Sequence, residues 1–212
     1  MVILGMDHDQ GHGKTVMRIS PLQVVGGTLG LAAAISLLGR VLSNRILSDV
    51  LFGFPLIANS AICIISVCAS IFLRRISPRL TLIVVLPALL ISLATLYEYG
   101  FQTSIPGLDP LIGDATFIPN TLSPAGRIPP NSALAFFLIA QSRFHDRFSI
   151  FTRGALFTAM VLGIVGFAGR LLMTDAFYRW GTALGMGYYV ALCLVIIPAS
   201  LLWLPRVSDA ET

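Results

Sequence analysis

The sequence predicts an all-helical membrane protein with about six membrane-spanning helices, since it contains several apolar runs of about 20 residues each. Hydrophobic residues make up 56% of the 212 residues and charged residues only 11%. A soluble domain carries about 25% charged residues because water must solvate its surface. The apolar residues also fall into long runs with few charges. We therefore expect a polytopic protein whose surface contacts a lipid bilayer.

The predicted spans divide the chain into one helical domain and two tails. Residues 1–21 are polar and rich in glycine, and residues 205–212 are too few to form a domain. Residues 22–204 are expected to form the transmembrane domain, in which an irregular segment, residues 98–128, separates the third span from the fourth. In chain order the expected spans are residues 22–42, 51–73, 81–97, 129–148, 154–173 and 181–204.

Small residues recur at helical spacing in the first and fifth spans. Gly26, Gly30 and Ala34 follow one another every four residues, and Gly163 and Gly166 lie three residues apart. Small side chains on one face of a membrane helix let a second helix approach closely. We predict that these faces pack against other helices. The alternative is that small residues are simply scattered along ordinary membrane helices.

Prolines and arginines mark the second and third spans. Pro55 lies in the first turns of the second span, where a missing N–H is tolerated. Pro87 lies in the middle of the third span, where a proline frees a carbonyl group and usually kinks the helix. A dense basic turn separates the two spans and contains Arg74, Arg75 and Arg79.

The fourth span is the least regular. It begins at two prolines, residues 129–130, where no needed hydrogen bond is lost, and Asn131 or Ser132 is expected to cap the helix. Its clean apolar run, residues 133–140, is short for a full crossing. Either the span extends from Pro129 toward Phe148 with its arginines snorkelling, or it is tilted or partial. We favour the longer span.

Positive charges orient the predicted helices, because cytoplasmic connections carry an excess of Lys and Arg. The connections on one side carry Lys14, Arg18, Arg74, Arg75, Arg79, Arg143, Arg147, Arg153 and Arg206. Those on the other side carry Arg40, Arg45, Arg127, Arg170 and Arg179. Both termini should therefore be cytoplasmic in a bacterial inner membrane, with residues 98–128 outside the cytoplasm. A link of residues 174–180 carries aromatic rings, as is typical of the membrane interface.

Several chemically versatile residues lack the context of a site. The three cysteines lie in apolar runs without a CxxC spacing, so we expect them to pack as small hydrophobic residues. Residues 11–15 resemble the end of a phosphate-binding loop, but His8 stands where the first glycine belongs. Glycines around His8 and His12 disfavour a helix that would pair them. The spans contain no paired carboxylates and no Ser/His/Asp set, so we expect no enzyme, no metal and no cofactor.

The irregular segment holds the candidate site residues. Its apolar side chains alternate with turn formers, as in a folded lid and unlike a disordered linker. Glu98 ends the third span and Arg127 precedes the fourth, and a charge at the membrane boundary is costly without a partner. We therefore predict a Glu98–Arg127 pair with Asp109 as a competing acid, although both charges could instead be solvated at the interface.

Three stretches of this region resemble the N-terminal membrane-sensor region of bacterial histidine kinases and diguanylate cyclases. They are residues 97–99 (Tyr-Glu-Tyr), 107–111 (GLDPL) and 126–136 (GRIPPNSALAF). In that family the third stretch typically reads Gly-Arg-Met-Ser/Ala-Pro-Asn-Thr-Ala-Leu and is followed by a longer apolar run. The resemblance implies that the membrane region passes a signal to a cytoplasmic output domain. It singles out Glu98, Asp109, Arg127 and Asn131 as ligand-binding or signal-sensing candidates without identifying a ligand.

The sequence thus favours a non-catalytic sensory or regulatory membrane module that responds to a signal from the membrane or periplasm. The alternative is a structural or accessory subunit of a larger bacterial membrane complex, since no output domain follows within the 212 residues. A transporter or membrane enzyme is less well supported, because such proteins usually place ionisable residues within their spans. We expect contacts with the bilayer and with a membrane-protein partner or a second copy of the chain. Basic residues without interleaved aromatic residues argue against nucleic acid.

Overall fold

The structure is a computed structural model that describes residues 21–48, 56–74, 76–108, 126–145, 149–180 and 185–203. All regular secondary structure in these ranges is helical. The helices are α1 (Pro21–Val41), α2 (Arg45–Ser48), α3 (Ala58–Leu73), α4 (Pro78–Phe101), α5 (Pro130–Gln141), α6 (Ile150–Leu171), α7 (Asp175–Tyr178) and α8 (Tyr188–Trp203). Residues 1–20 of the N-terminal tail, the C-terminal tail and Asp109 lie outside the described residues.

Three of the described helices are long and apolar enough to cross a membrane, namely α1 from Gln23, α4 and α6. They have 19, 24 and 22 residues, and at 1.5 Å per residue each spans about 30 Å of hydrocarbon. Their length and composition associate the chain with a membrane. By contrast, α3 and α8 have 16 residues each and α5 has 12.

The long and short helices alternate along the chain and take different places in the bundle. The short helices α3, α5 and α8 contact one another, and at least half of the residues of each are buried. Each long helix packs outside two short ones: α1 on α3 and α8, α4 on α3 and α5, and α6 on α5 and α8. Only 28–33% of the residues in the apolar windows of the long helices are buried. The long helices therefore present most of their apolar surface to the surroundings.

Successive helices run antiparallel. Gly26 lies opposite Ile71 and Gly30 opposite Cys68, which sets α1 against α3. A connection of four residues, 74–77, turns α3 back into α4. The bundle has two ends. We call one of them the Glu98 end, which is where α1, α4 and α6 finish, and we call the opposite one the Arg143 end. The first and last described residues, Pro21 and Trp203, both lie at the Arg143 end.

Serine caps set the starts of two long helices. Ser77 Oγ accepts a hydrogen bond of 3.4 Å from Leu80 N, and Ser149 Oγ accepts one of 3.3 Å from Phe151 N. Both caps satisfy amides that a helix start leaves free. As a result α4 and α6 begin three and four residues before the predicted third and fifth spans. Within α4 the helix continues through Pro87.

The preferred boundaries of the fourth span were wrong. The helix α5 ends at Gln141, and residues 142–144 form turns, so the helix does not extend toward Phe148. Its N-cap is Pro129, which has no capping side chain, and in the first turn Asn131 Oδ1 accepts a hydrogen bond from Ser132 N. Twelve residues rise only about 18 Å, which is less than the thickness of the hydrocarbon layer. Residues 56–57 and 185–187 are not helical, so α3 and α8 begin later than the second and sixth predicted spans, whose first residues lie outside the described ranges.

Glycine faces bring helix pairs together. A Cβ at Gly30 would lie 3.0 Å from Cys68 Cβ on α3, and a Cβ at Gly163 would lie 2.9 Å from Leu194 on α8. Gly166 faces Met186 just before α8. Further along α1, Ala33 is fully buried and Ala34 is half-buried. The seven residues from Gly26 to Ala33 make almost two whole turns of 3.6 residues each, which places these two residues on the same side of the helix.

Candidate functional site

Glu98 is the centre of a buried polar cluster at the Glu98 end. It lies in the last turn of α4, and its side chain is fully buried. The helix ends at Gln102, whose φ of 50° is left-handed and whose N–H bonds to the Glu98 carbonyl. The chain then folds back, and Ile105 N donates a 2.6 Å hydrogen bond to Glu98 Oε1. The reversal at Gln102 therefore brings residues 103–105 against the carboxylate.

Arg127 supplies the opposite charge. Its Nε lies 3.3 Å from Glu98 Oε2, and only 9% of the Arg127 side chain is exposed. Its Nη2 donates to Thr103 O at 3.4 Å, and the guanidinium lies 5.4 Å from the centre of the Tyr99 ring. The pair thus joins the end of α4 to the residues that lead into α5. Removing one partner of such a buried pair leaves an uncompensated charge, which is strongly destabilising.

Asn59 closes the cluster from α3. It is the second residue of that helix and fully buried. Its Nδ2 donates to Leu108 O at 2.8 Å and to Gly126 O at 3.5 Å. Leu108 and Gly126 are the described residues on either side of residues 109–125. The side-chain amide of Asn59 therefore bonds to the last described residue after α4 and to the first described residue before α5.

Asn131 links the cluster to the other half of the bundle. Its Nδ2 donates to Tyr178 O at 3.1 Å, and its Oδ1 accepts from Ser132 N at 2.9 Å. The same Tyr178 carbonyl also accepts a 2.9 Å hydrogen bond from Met186 N. Asn131 lies four residues after Arg127. It thereby connects the start of α5 to the chain between α6 and α8.

Tyr178 is held between two arginines. The guanidinium of Arg170 lies 5.1 Å from the centre of the Tyr178 ring, and that of Arg179 lies 5.5 Å from it. Arg170 also lies 5.4 Å from the Tyr188 ring. Asp175 accepts hydrogen bonds from the Tyr178 hydroxyl at 2.6 Å and from Arg179 at 3.0 Å. Cation–π contacts of this kind position charged groups next to apolar helix ends.

Three buried side-chain oxygens at this end have no hydrogen-bond partner among the described residues. They are Asn59 Oδ1, Thr95 Oγ1 and Ser132 Oγ, and each residue is at most 1% exposed. They belong to α3, α4 and α5, which contact one another. Unsatisfied buried polar groups are uncommon, and each calls for an explanation. The cluster can therefore hydrogen-bond further, in addition to its charge pair.

The structure brings together part of the predicted site. Glu98 and Arg127 pair directly, and Asn131 adjoins them through α5, whereas Asp109 lies outside the described residues. Asn59 was missed, although an asparagine in an otherwise apolar run is a usable signal. Arg170 was interpreted only as a topology charge, because a ring contact with Tyr178 has no signature in the sequence.

The cluster consists of one ion pair and of hydrogen bonds between side chains and backbone. Among the described residues no group of three or more His, Cys, Asp or Glu side chains could hold a metal ion. All three cysteines are free and buried within helices. Searches against protein-family models, curated proteins and solved structures found no match for the chain.

Proposed function

We propose that the chain is a non-catalytic sensory or regulatory module of a bacterial inner membrane, and that its Glu98 end receives the signal. The observation that carries this proposal is the buried Glu98–Arg127 pair, which joins residues 103–105 after α4 to the residues that lead into α5. Burying this pair costs free energy, and so does breaking it once it is buried. The pair therefore holds the described residues of the connection in a closed arrangement that a signal could release. Signal transmission requires such a two-state element, on whose equilibrium the signal acts.

The proposal includes a topology in which all six of the longer helices cross the membrane. The short helices are preceded by buried non-helical residues: Leu56 before α3, residues 126–129 before α5, and Met186 before α8. Non-helical backbone is tolerated at membrane depth where protein surrounds it. A short inner helix together with its buried extension can therefore complete a crossing. The excess of arginine at the Arg143 end then supports cytoplasmic termini.

The resemblance to membrane-sensor regions points to the same residues. Its first and third stretches, residues 97–99 and 126–136, contain both members of the ion pair and the Asn131 link. In that family the output lies on the cytoplasmic side. A change at the Glu98 end would then reach the opposite end through α4 and α5, the helices that the pair connects.

Cysteine labelling tests the topology. The native cysteines are buried, so a membrane-impermeant maleimide should report mainly on an introduced cysteine. In intact cells we expect labelling of Gln102→Cys at the Glu98 end and not of Arg74→Cys at the Arg143 end, since both positions are exposed. Labelling of Arg74→Cys alone would reverse the proposed orientation.

A fusion tests signalling. A cytoplasmic diguanylate cyclase or kinase reporter is joined after residue 212, and its output is measured in membranes. We expect Arg127→Ala to change the output severalfold, since it removes the charge that closes the Glu98 end. The matched control is Arg79→Ala, an exposed arginine at the opposite end. Equal output from both variants and the unaltered fusion would reject the sensory function.

Purification in mild detergent from the native membrane distinguishes the accessory-subunit alternative. A different membrane protein recovered with the chain at fixed stoichiometry would assign the chain to a larger complex. A chain recovered alone or with its own copies would leave the sensory module as the better explanation. Mass spectrometry of the purified sample gives the composition directly.

A further inference from the structure

A cavity of about 450 Å³ opens at the Arg143 end, between the last turn of α5 and the first turns of α6. This volume is within the range of ligand pockets, about 300–1,000 Å³. Its lining combines polar and apolar side chains. The lining includes Gln141, His145, Ile150, Phe151 and Gly154.

The rim of the cavity lies where an apolar helix meets water. Ile150 and Phe151 in the first turn of α6 are each 79% exposed, and α6 has the length and composition of a membrane span. Large exposed apolar side chains at the end of such a helix are placed in lipid rather than in water. Gln141 and His145, on the other side of the cavity, are polar and exposed. The cavity therefore spans the boundary between headgroups and hydrocarbon.

Basic residues lie on the described elements that bound the cavity. Arg143 and His145 follow α5, and of these two His145 lines the cavity. The first turn of α6 contains Arg153 and no acidic residue. The two carboxylate residues within the described ranges, Glu98 and Asp175, lie at the other end of the bundle. Free amides at a helix start add partial positive charge.

We propose that this cavity binds an anionic phospholipid, with its phosphate near His145 and the start of α6 and its acyl chains along Ile150 and Phe151. A phospholipid is the molecule at this depth that combines an anion with apolar chains. The basic residues beside the cavity favour an anionic headgroup over a zwitterionic one, because juxtamembrane basic residues attract anionic lipid. This site is independent of the sensory proposal, since it lies at the opposite end of the bundle from the Glu98–Arg127 pair.

Gly154 allows the cavity to be filled without disturbing the fold. It lines the cavity, and a Cβ at this position would have no atom within 4 Å. Gly154→Leu therefore places a side chain in the cavity and removes a helix-weakening glycine. Gly100→Leu is the matched control, because Gly100 is also helical and equally open but lies at the Glu98 end.

The test is native mass spectrometry of the full chain released from vesicles of phosphatidylglycerol and phosphatidylcholine in equal amounts. We expect a retained phosphatidylglycerol adduct on the unaltered chain and on Gly100→Leu. On Gly154→Leu the adduct should fall roughly tenfold, because the leucine side chain occupies space that the lipid would fill. Equal retention by Gly154→Leu and the unaltered chain would overturn the proposal.

A second variant tests the charge. His145→Glu introduces a carboxylate into the cavity, and it should lower the preference for phosphatidylglycerol over phosphatidylcholine severalfold. Ile76→Glu adds the same charge at an exposed position of the same end, outside the cavity lining, and should leave the preference unchanged. Equal changes in both variants would indicate a general surface effect, and phosphatidylcholine retained as tightly as phosphatidylglycerol would also reject an anionic site.

Discussion

The two ends of the bundle differ in how their helices are connected. At the Glu98 end the described residues of the connection between α4 and α5, 102–108 and 126–129, are held by a buried ion pair and by the Asn59 amide. At the Arg143 end the connections of residues 74–77 and 142–149 are short. There Arg143 Nη2 donates to Ser70 O at 3.1 Å, and a cavity remains open beside it.

The difference follows from where the short inner helices begin. At the Glu98 end α3, α5 and α8 start below the ends of the long helices, so non-helical backbone is buried there. Buried backbone N–H and C=O groups need hydrogen-bond partners. Side chains such as Asn59, Glu98 and Asn131 provide them. A tightly bonded Glu98 end and a looser Arg143 end are therefore two results of one helix-length pattern.

The largest effect should come from breaking the ion pair. Arg127→Ala leaves the Glu98 carboxylate buried without its counter-charge, and we expect a loss of about 3–5 kcal/mol in the free energy of unfolding. Unfolding by SDS in mixed micelles, followed by circular dichroism, measures it. Arg79→Ala, at an exposed site, should change stability by less than about 0.5 kcal/mol.

The double variant Glu98→Gln with Arg127→Met sharpens this prediction. It removes both charges, and it should recover part of the stability lost in Arg127→Ala. A double variant no more stable than Arg127→Ala would show that the two side chains do not act as a charge pair. The tighter bonding of the Glu98 end would then depend on Asn59 alone.

Packing between α6 and α8 should give the next largest effect. Gly163→Ala would place a Cβ 2.9 Å from Leu194, so the helices must separate, at a cost of about 1–3 kcal/mol. Gly154→Ala lies on the same helix in open space and should be neutral or stabilising by up to about 1 kcal/mol. The same SDS titration compares them. Equal stability of the two variants would contradict the close approach at Gly163.

Removing the Asn59 amide should loosen the long connection. Asn59→Ala leaves Leu108 O and Gly126 O without this donor, which costs about 1–3 kcal/mol. Limited proteolysis of the chain in detergent should cut the connection between α4 and α5 faster in this variant. Asn131→Ala should have the smaller effect on proteolysis, because Tyr178 O keeps its bond from Met186 N. The opposite order would mean that Asn131, and not Asn59, closes this end.

The smallest effect is expected at the Arg143 end. Arg143→Ala removes the hydrogen bond to Ser70 O in a half-buried setting, and we expect a loss of about 1 kcal/mol. A loss as large as that of Arg127→Ala would remove the contrast between the two ends. SDS unfolding of both variants under the same conditions compares the two losses in the free energy of unfolding.

Much of the helical architecture could be predicted because each long helix carries its own signals. Apolar length indicated α1, α4 and α6. The inner helices were harder, since their true starts at Ala58 and Tyr188 depend on which backbone the neighbouring helices cover. The helix propensity of a segment carries no information about which neighbouring helices cover its backbone.

The candidate site likewise has a part that could be predicted from the sequence and a part that could not. Glu98 and Arg127 were predictable as partners because a charge at the edge of an apolar run needs a neutralising group. The Asn59 contacts with Leu108 and Gly126, and the position of Tyr178 between Arg170 and Arg179, join residues that are far apart or have no pattern in common. Only the packed bundle brings such groups together.

The sequence by itself determined that the chain is helical and associates with a membrane, because apolar length and scarcity of charge are properties of each segment alone. It also determined which charges required a partner. The tertiary structure decided which helices lie inside, where they start, and which polar groups close one end while a cavity remains at the other. These outcomes depend on contacts between segments, and contact energies are set by the geometry of the packed bundle rather than by local composition.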